Sequence, residues 1–285
     1  MASCTSIRPP SPIASCYLST VERQYRNASN LNARITLHER FSANPHPLPR
    51  WLFGQLELSP EARILEIGCG TGKLWADNAH RIPEDWGITL TDASPGMMSE
   101  AEKNLGGSRR FGFRVADARE LPFNDGEFGA VISNHVLHHV PDLRRAISEI
   151  VRVLGHDGVL YAATNGQNNM REMNRMMQFL YPNHPGDGLA RIIGAFSLEN
   201  GAEQLSTHFS DISLRRYEDA LIVNEVQPMV DYALSAMTVQ EAVADLSEQE
   251  LRARVSRITE SLERNLADDG EIHITKETGL FVARR

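Results

Sequence analysis

Residues 62–164 alternate short apolar runs with helical stretches, and this predicts an α/β fold: a doubly wound, mostly parallel sheet with helices on both faces. Two observations sharpen the prediction. The first apolar run, 63–67, ends in Gly68, Gly70 and Gly72. Later runs end, in order, at Asp92, Asp117 and Asn134. In open α/β sheets ligands bind outside the carboxyl ends of the strands, so a binding site is expected there.

Each element has its own signal. Ile64, Leu65 and Ile67 have the character of a buried strand, and further strands are expected at 87–91, 112–116, 130–134 and 158–164. Helices are expected at 72–81, 95–105 and 142–154, the last with Asp142 as N-cap and Gly155 as its stop. Ahead of the core, Leu31, Ile35, His38 and Phe41 recur about once per helical turn. The prolines at 45, 47 and 49 interrupt that pattern before a second helix over 50–58.

Beyond Thr164 the rhythm changes. A helix carrying Met170, Met173, Met176 and Met177 is followed by a Pro/Gly loop at 181–188 and a helix at 198–208. Residues 211–218 and 220–223 read as strands. Val239, Val243, Leu246, Leu251, Val255, Ile258, Leu262 and Leu266 form the apolar stripe of one or two helices. The stripe reads as a face buried against the domain, with contact in a homo-oligomer through these C-terminal helices as the alternative. Residues 271–275 and 279–283 read as a closing pair of strands turned at 276–278. The expected organisation is a tail at 1–19, an N-terminal helical lid at 20–58 and a binding core at 59–165. A substrate cap with remaining core elements follows at 166–270, then closing strands at 271–285.

Composition narrows the function. A formal net charge of −8 opposes a nucleic-acid partner, which demands a basic surface. No apolar run approaches the ~20 residues of a membrane span. Residues 1–18, rich in Ser and Pro, lack the apolar stretch of a secretory signal, so a cytoplasmic protein is expected. Three cysteines, Cys4, Cys16 and Cys69, give neither a disulfide framework nor a metal spacing. Cys69 reads as a small filler within the glycine turn.

The glycine turn lets backbone N–H groups close on a ligand. It misses the G-x-G-x-x-G dinucleotide fingerprint, because Lys73 stands where the third glycine belongs. Asp92, about twenty positions on, is placed to accept from ribose hydroxyls, and Asp117 from an adenine amine. Taken singly, Asp92 could cap the Ser-Pro turn that follows it and Asp117 could be a turn residue. Their shared register with the glycines favours the binding role.

The motifs Glu66-Ile-Gly-Cys-Gly-Thr-Gly72, Asp92-Ala-Ser-Pro-Gly-Met97 and Ala116-Asp117-Ala118 with Leu121-Pro122-Phe123 stand in order. His139-Val140-Pro141-Asp142 and Arg152-Val153-Leu154 follow. Together they resemble the class I, Rossmann-like S-adenosylmethionine-dependent methyltransferases of the small-molecule "type 11" kind. The resemblance implies a seven-strand sheet and S-adenosyl-L-methionine as cofactor. It assigns Glu66, Gly68, Cys69, Gly70 and Gly72 to the methionine end, and Asp92 and Ala93 to the ribose. Met97, Asp117 and Ala118 go to the adenine, and Asn134 and His135 to the neighbourhood of the sulfonium. It implies methyl transfer to a small organic acceptor, a secondary metabolite, with no metal, nucleic acid or membrane partner. The alternatives are a catalytically silent cofactor-binding or scaffold protein, and a protein or RNA methyltransferase. The last lacks an Asn-Pro-Pro-Tyr-type motif after the fourth strand.

A hydroxyl or carbon acceptor needs a base. His135, at the rim, and Tyr25 and His38, in the lid, are the candidate catalytic residues. Arg34 lies one turn from His38. His138 and His139 read as structural. The Met cluster reads as core packing, or as the floor of an apolar substrate pocket.

Overall fold

A computed structural model describes residues 29–106, 110–180, 194–244 and 246–285. Nine strands form in chain order: β1 (Arg63–Ile67), β2 (Gly87–Asp92), β3 (Phe111–Val115), β4 (Phe128–Asn134), β5 (Leu154–Asn165), β6 (Asp211–Tyr217), β7 (Ala220–Val223), β8 (Ile272–Thr275) and β9 (Thr278–Arg284). Seven of them make one sheet in the order β3-β2-β1-β4-β5-β9-β6. The first five lie parallel, and β9 runs antiparallel between β5 and β6. The chain moves outward from β1 to β3 and then returns to the other side of β1. The resulting switch point opens a crevice beyond the carboxyl ends of β1 and β4.

The period of two along a strand sorts β1 between two cores. Ile64 packs with Ile88, Leu90, Ile132 and Trp75 on one face. Leu65 and Ile67 pack with Val131, Leu160, Ile147 and Ile150 on the other. Glu66 shares the face of Ile64, and so meets Trp75. Helix Pro95–Leu105 is started by Ser94, whose side chain accepts from Met97 N at 3.3 Å. Helix Leu143–Val153 is started by Asp142, which accepts from Arg145 N at 3.1 Å.

Two expected helices differ in extent. The helix expected at 72–81 splits into Lys73–Ala76 and a 3-10 turn, Ala79–Arg81. Asn78 causes the break: its Nδ2 donates to Leu74 O at 2.8 Å and Pro49 O at 3.1 Å, a local alternative to helix continuation. The helix expected at 50–58 runs instead over Leu48–Gly54, because a proline fits the first helical turn.

The N-terminal helix and the elements that follow β5 share a third core. Leu37 and Phe41, from helix Ser29–Phe41, join Met170, Met173 and Met177 with Met229, Val230 and Ala233. Helix Val226–Ser235, ahead of the expected stripe, supplies that last group. Val239, Ile258 and Leu262 of the stripe are buried in the same cluster. Helix Glu248–Asp269 opens on a Ser247–Glu250 capping box and ends at Gly270, with φ +77°.

The closing strands correct the sequence reading. β8 does not pair with β9; it pairs with β7 in a separate two-stranded sheet. Register explains why. Tyr217 faces Thr278 and Ala220 faces Thr275, so β6–β7 and β8–β9 form one antiparallel ribbon interrupted at 218–219 and 276–277. Its far end, β7 and β8, lies outside the main sheet. Among the described residues no helix is long and apolar enough to cross a membrane.

Candidate functional site

The turn after β1 needs its glycines for distinct reasons. Gly68, Gly70 and Gly72 have φ of +62°, +55° and +74°, the left-handed region that side chains resist. A Cβ on Gly68 would lie 2.3 Å from Val136 Cγ2, and one on Gly72 2.6 Å from Leu105 Cδ1. Gly68 thus admits the loop after β4, and Gly72 seats the turn on helix Pro95–Leu105. The backbone N–H of Gly70 donates to Asp92 Oδ2 at 3.0 Å.

A cavity of about 390 Å³ opens at this switch point. Of the residues the sequence points to, Glu66, Gly68, Cys69, Gly70, Asp92, Ala93, Met97, Asp117, Ala118, Asn134 and His135 line it. Gly72 does not, being used for packing. His38 does not either; its ring sits edge-on to Tyr232 at 6.0 Å. Tyr25, the tail at 1–19 and the loop at 181–188 lie outside the described residues.

Three carboxylates face the cavity from successive strands, each held differently. Glu66 is buried and accepts from Trp75 Nε1 at 2.6 Å and Asn134 Nδ2 at 3.2 Å. Burial lifts its pKa to about 7, those two hydrogen bonds resisting and Asp92 adding to the rise. Asp92 is also raised by burial, against the N–H groups of Ser94 and Gly70. Burial pushes Asp117 up too, but the hydrogen bonds and charge of Arg119 outweigh it and leave the carboxyl below its ordinary value. The Arg119 fork donates to both Asp117 oxygens, NH2 to Oδ2 at 2.6 Å and Nε to Oδ1 at 3.0 Å.

His135 has φ +58°, and its N–H is fixed on Ala163 O at 2.9 Å. That conformation is costly away from glycine, and it turns the imidazole toward the cavity at the end of β4. The rings of His138 and His139 are 4.2 Å apart, with His138 packed inward near Thr164 Oγ1 at 3.4 Å. His139 also lines the cavity. Burial lowers His135 and His139 to about 4, with Lys276 assisting at the first and Arg34 at the second. His38 falls to about 3 through burial and then Lys276. These imidazoles are neutral at pH 7 and add no positive charge to the cavity.

Sequence reasoning missed Arg119, and expected a lid over 20–58 without naming Ile35, Leu48, Pro49 and Leu52, which line the ceiling of the cavity. The spacing of Arg119 two residues past Asp117 was the available signal for the first. The ceiling gave none, since apolar residues on short helices look alike whether they cover a core or a cavity.

A crevice at the switch point, a glycine turn at the end of β1 and acids at the ends of β2 and β3 define a nucleoside-binding α/β domain. Known proteins narrow this further. Residues 65–162 match the family model described as a methyltransferase domain. The malonyl-(acyl-carrier protein) O-methyltransferase of Geobacter sulfurreducens is 39% identical over 112 residues, 39% of this chain and 42% of that protein. The demethylmenaquinone methyltransferase of Desulfitobacterium hafniense is 32% identical over 108 residues, 37% of this chain and 43% of that protein. The chain thus spans about two fifths of the length of these relatives. Among solved structures, Haemonchus contortus phosphoethanolamine N-methyltransferase 2 with S-adenosyl-L-methionine bound aligns at TM-score 0.57 and 18% identity, over 94% of this chain and 60% of that one. The (4+2)-cyclase SpnF aligns at 0.56 and 18%, over 93% and 94%. Residues 65–162 thus match a methyltransferase domain, and the sheet has the fold of the neighbour that binds S-adenosyl-L-methionine.

The side chains present fit that cofactor. The turn at Gly68 has no room for a Cβ, three carboxylates suit a cationic ligand, and Asn134 Oδ1 lies buried without a hydrogen-bond donor.

Proposed function

We propose that this protein transfers the methyl group of S-adenosylmethionine to a small organic acceptor, a secondary metabolite, held beneath the two N-terminal helices. The observation that carries the reading is the convergence of Glu66, Asp92 and Asp117, from the ends of three strands, on one cavity. When bound, the cofactor supplies an electrophilic methyl carbon and its own leaving group.

The chain has to bind, orient and exclude water. The turn at 68–72 and Glu66 hold the amino-acid end, Asp92 the ribose, and Asp117 with Met97 the adenine. Neutral His135 and His139 hydrogen-bond the acceptor without repelling a sulfonium. Ile35, Leu48 and Leu52 cover the cavity and keep water from the methyl group. The acceptors in the relatives' names differ from one another, so the acceptor here is to be found by assay. The SpnF resemblance shows that this fold also carries other chemistry.

The test is calorimetry with S-adenosylhomocysteine, expected to show one site with micromolar affinity. Labelled-methyl turnover on a panel of hydroxylated, carboxylated and amino metabolites follows. No binding at high micromolar ligand overturns the reading. Binding without turnover on any acceptor favours a silent cofactor-binding protein.

A further inference from the structure

The walls of the cavity divide by charge. Glu66, Asp92 and Asp117 line it from β1, β2 and the residues just after β3. His135 and His139 line it from beyond the end of β4. Cations flank these two imidazoles. Arg34, from the first helix, acts on His139, and Lys276, from the ribbon, acts on His135. Asp219 pairs with Lys276 and opposes it at His38, whereas at His135 burial is followed by Lys276.

Among the described residues no carboxylate is hydrogen-bonded to the His135 ring, whose aromatic neighbour is His138 with centroids 6.5 Å apart. A histidine that serves as a general base is oriented and made more basic by such a partner. Burial and Lys276 make His135 less basic instead, with a pKa of about 4. His135 is therefore a weak base and, through its ring N–H, a hydrogen-bond donor.

Acceptor classes respond differently to this wall. A hydroxyl or a carbon acid has to lose a proton, and His135 is too weak a base to take it. An alkylamine is a cation at pH 7 and is repelled by Arg34, Lys276 and the sulfonium. A carboxylate is already an anion with an electron pair to give. The same charges attract it, and an imidazole N–H can hold it.

We propose that the acceptor is a carboxylate and the product a methyl ester, with His135 donating a hydrogen bond to the carboxylate from the β4 rim. This rests on the cofactor reading above and narrows its acceptor class. One carboxylate oxygen bonds the methyl carbon as the carbon–sulfur bond breaks, and the electron pair of that bond stays on sulfur. No proton moves, so the step calls for no base.

Wild-type protein saturated with S-adenosylhomocysteine is titrated with millimolar benzoate, benzyl alcohol and benzylamine, and the histidine side chains are followed by NMR. Benzoate is expected to shift the His135 signals to saturation, and the other two to leave them in place. His135→Asn puts in a residue that tolerates the left-handed backbone but lacks the imidazole, and it binds benzoate about tenfold more weakly. In labelled-methyl assays every methylated acceptor is expected to release its label as methanol in alkali, as an ester does and an ether or amine does not. Benzyl alcohol or benzylamine moving His135 as far as benzoate overturns the proposal and leaves the cofactor reading standing. So does a shift with none of the three, an unchanged benzoate affinity in the variant, or an alkali-stable label. Failure of S-adenosylhomocysteine to bind overturns the cofactor reading as well.

Discussion

The backbone N–H of Gly70 donates to Asp92 Oδ2 at 3.0 Å, so the turn ending β1 and the acid ending β2 hold each other in place. The other oxygen, Oδ1, takes the N–H of Ser94 at 2.8 Å. Asp92→Asn keeps one acceptor and sets an amide NH₂ against the N–H of Gly70. Hydrogen bonds to a charged group are worth about 1.5–3 kcal/mol, so S-adenosylhomocysteine affinity is expected to fall roughly 10- to 100-fold. Calorimetry on the two proteins measures this; unchanged affinity removes Asp92 from the site.

Gly68→Ala tests the turn itself. The new methyl group meets Val136 Cγ2 at 2.3 Å, and φ is +62°. Overpacking costs about 1–3 kcal/mol and a left-handed alanine about 1 kcal/mol more. The double variant Gly68→Ala/Val136→Ala removes the clash but not the backbone strain, so it recovers part of the loss in a urea melt. Full recovery would show that the backbone conformation does not matter.

Much of this was legible in the sequence, and the reasons are local. Ile64 to Gly72 announced strand and turn because an apolar run and a glycine series each have a local physical cause. The acids Asp92 and Asp117 were legible for the same reason, as strand-end residues in register. The β8–β9 pairing was misread because 271–275 and 279–283 are close in sequence and look like a hairpin. Their true partners, β7 for the first and β5 and β6 for the second, lie about fifty or more residues away, and only three-dimensional register reveals them.

The histidines make the protein sensitive to acid. His38, at about 3, and His135 and His139, at about 4, lie below the unfolded value of 6.5, and His138 lies well below it too. As pH falls below 6.5 the unfolded chain binds more protons than the folded one. The stability from keeping these rings neutral is therefore fully present above 6.5 and is lost toward pH 4. Glu66 acts in the opposite sense. Raised from 4.5 to about 7, it holds a proton in the folded state that the unfolded chain releases, so its contribution grows as pH falls through that window. The four rings outweigh Glu66 and Asp92, which burial also raises, so stability falls as the pH drops from about 6.5 to 5. A urea midpoint falling steeply from pH 6.5 to 5 is the expected result. A flat midpoint contradicts the burial of the four rings.

Lys276 and Asp219 pin the ribbon where it leaves the main sheet. Lys276 Nζ lies 2.8 Å from Asp219 Oδ2, and the two side chains are 6% and 0% exposed. Asp219 Oδ1 also accepts from Ser42 Oγ, Asn44 N and Ala220 N at 2.8, 3.0 and 2.9 Å, which ties the end of the first helix to the ribbon. Lys276→Met leaves that carboxylate buried without its cation, and a loss of about 3–5 kcal/mol is expected in urea denaturation. Lys276→Met/Asp219→Asn keeps a carbonyl oxygen for the three donors and removes the stranded charge, so most of the loss returns. The same lysine depresses His38 and His135 through its field. At His38 the loss of Asp219, whose charge opposes that of Lys276, offsets part of the change, so the double variant should raise the His135 pKa, and NMR titration of its side chain reads this directly. Stability restored with His135 unmoved would mean that burial alone keeps it neutral and that the ion pair serves only to fasten the ribbon.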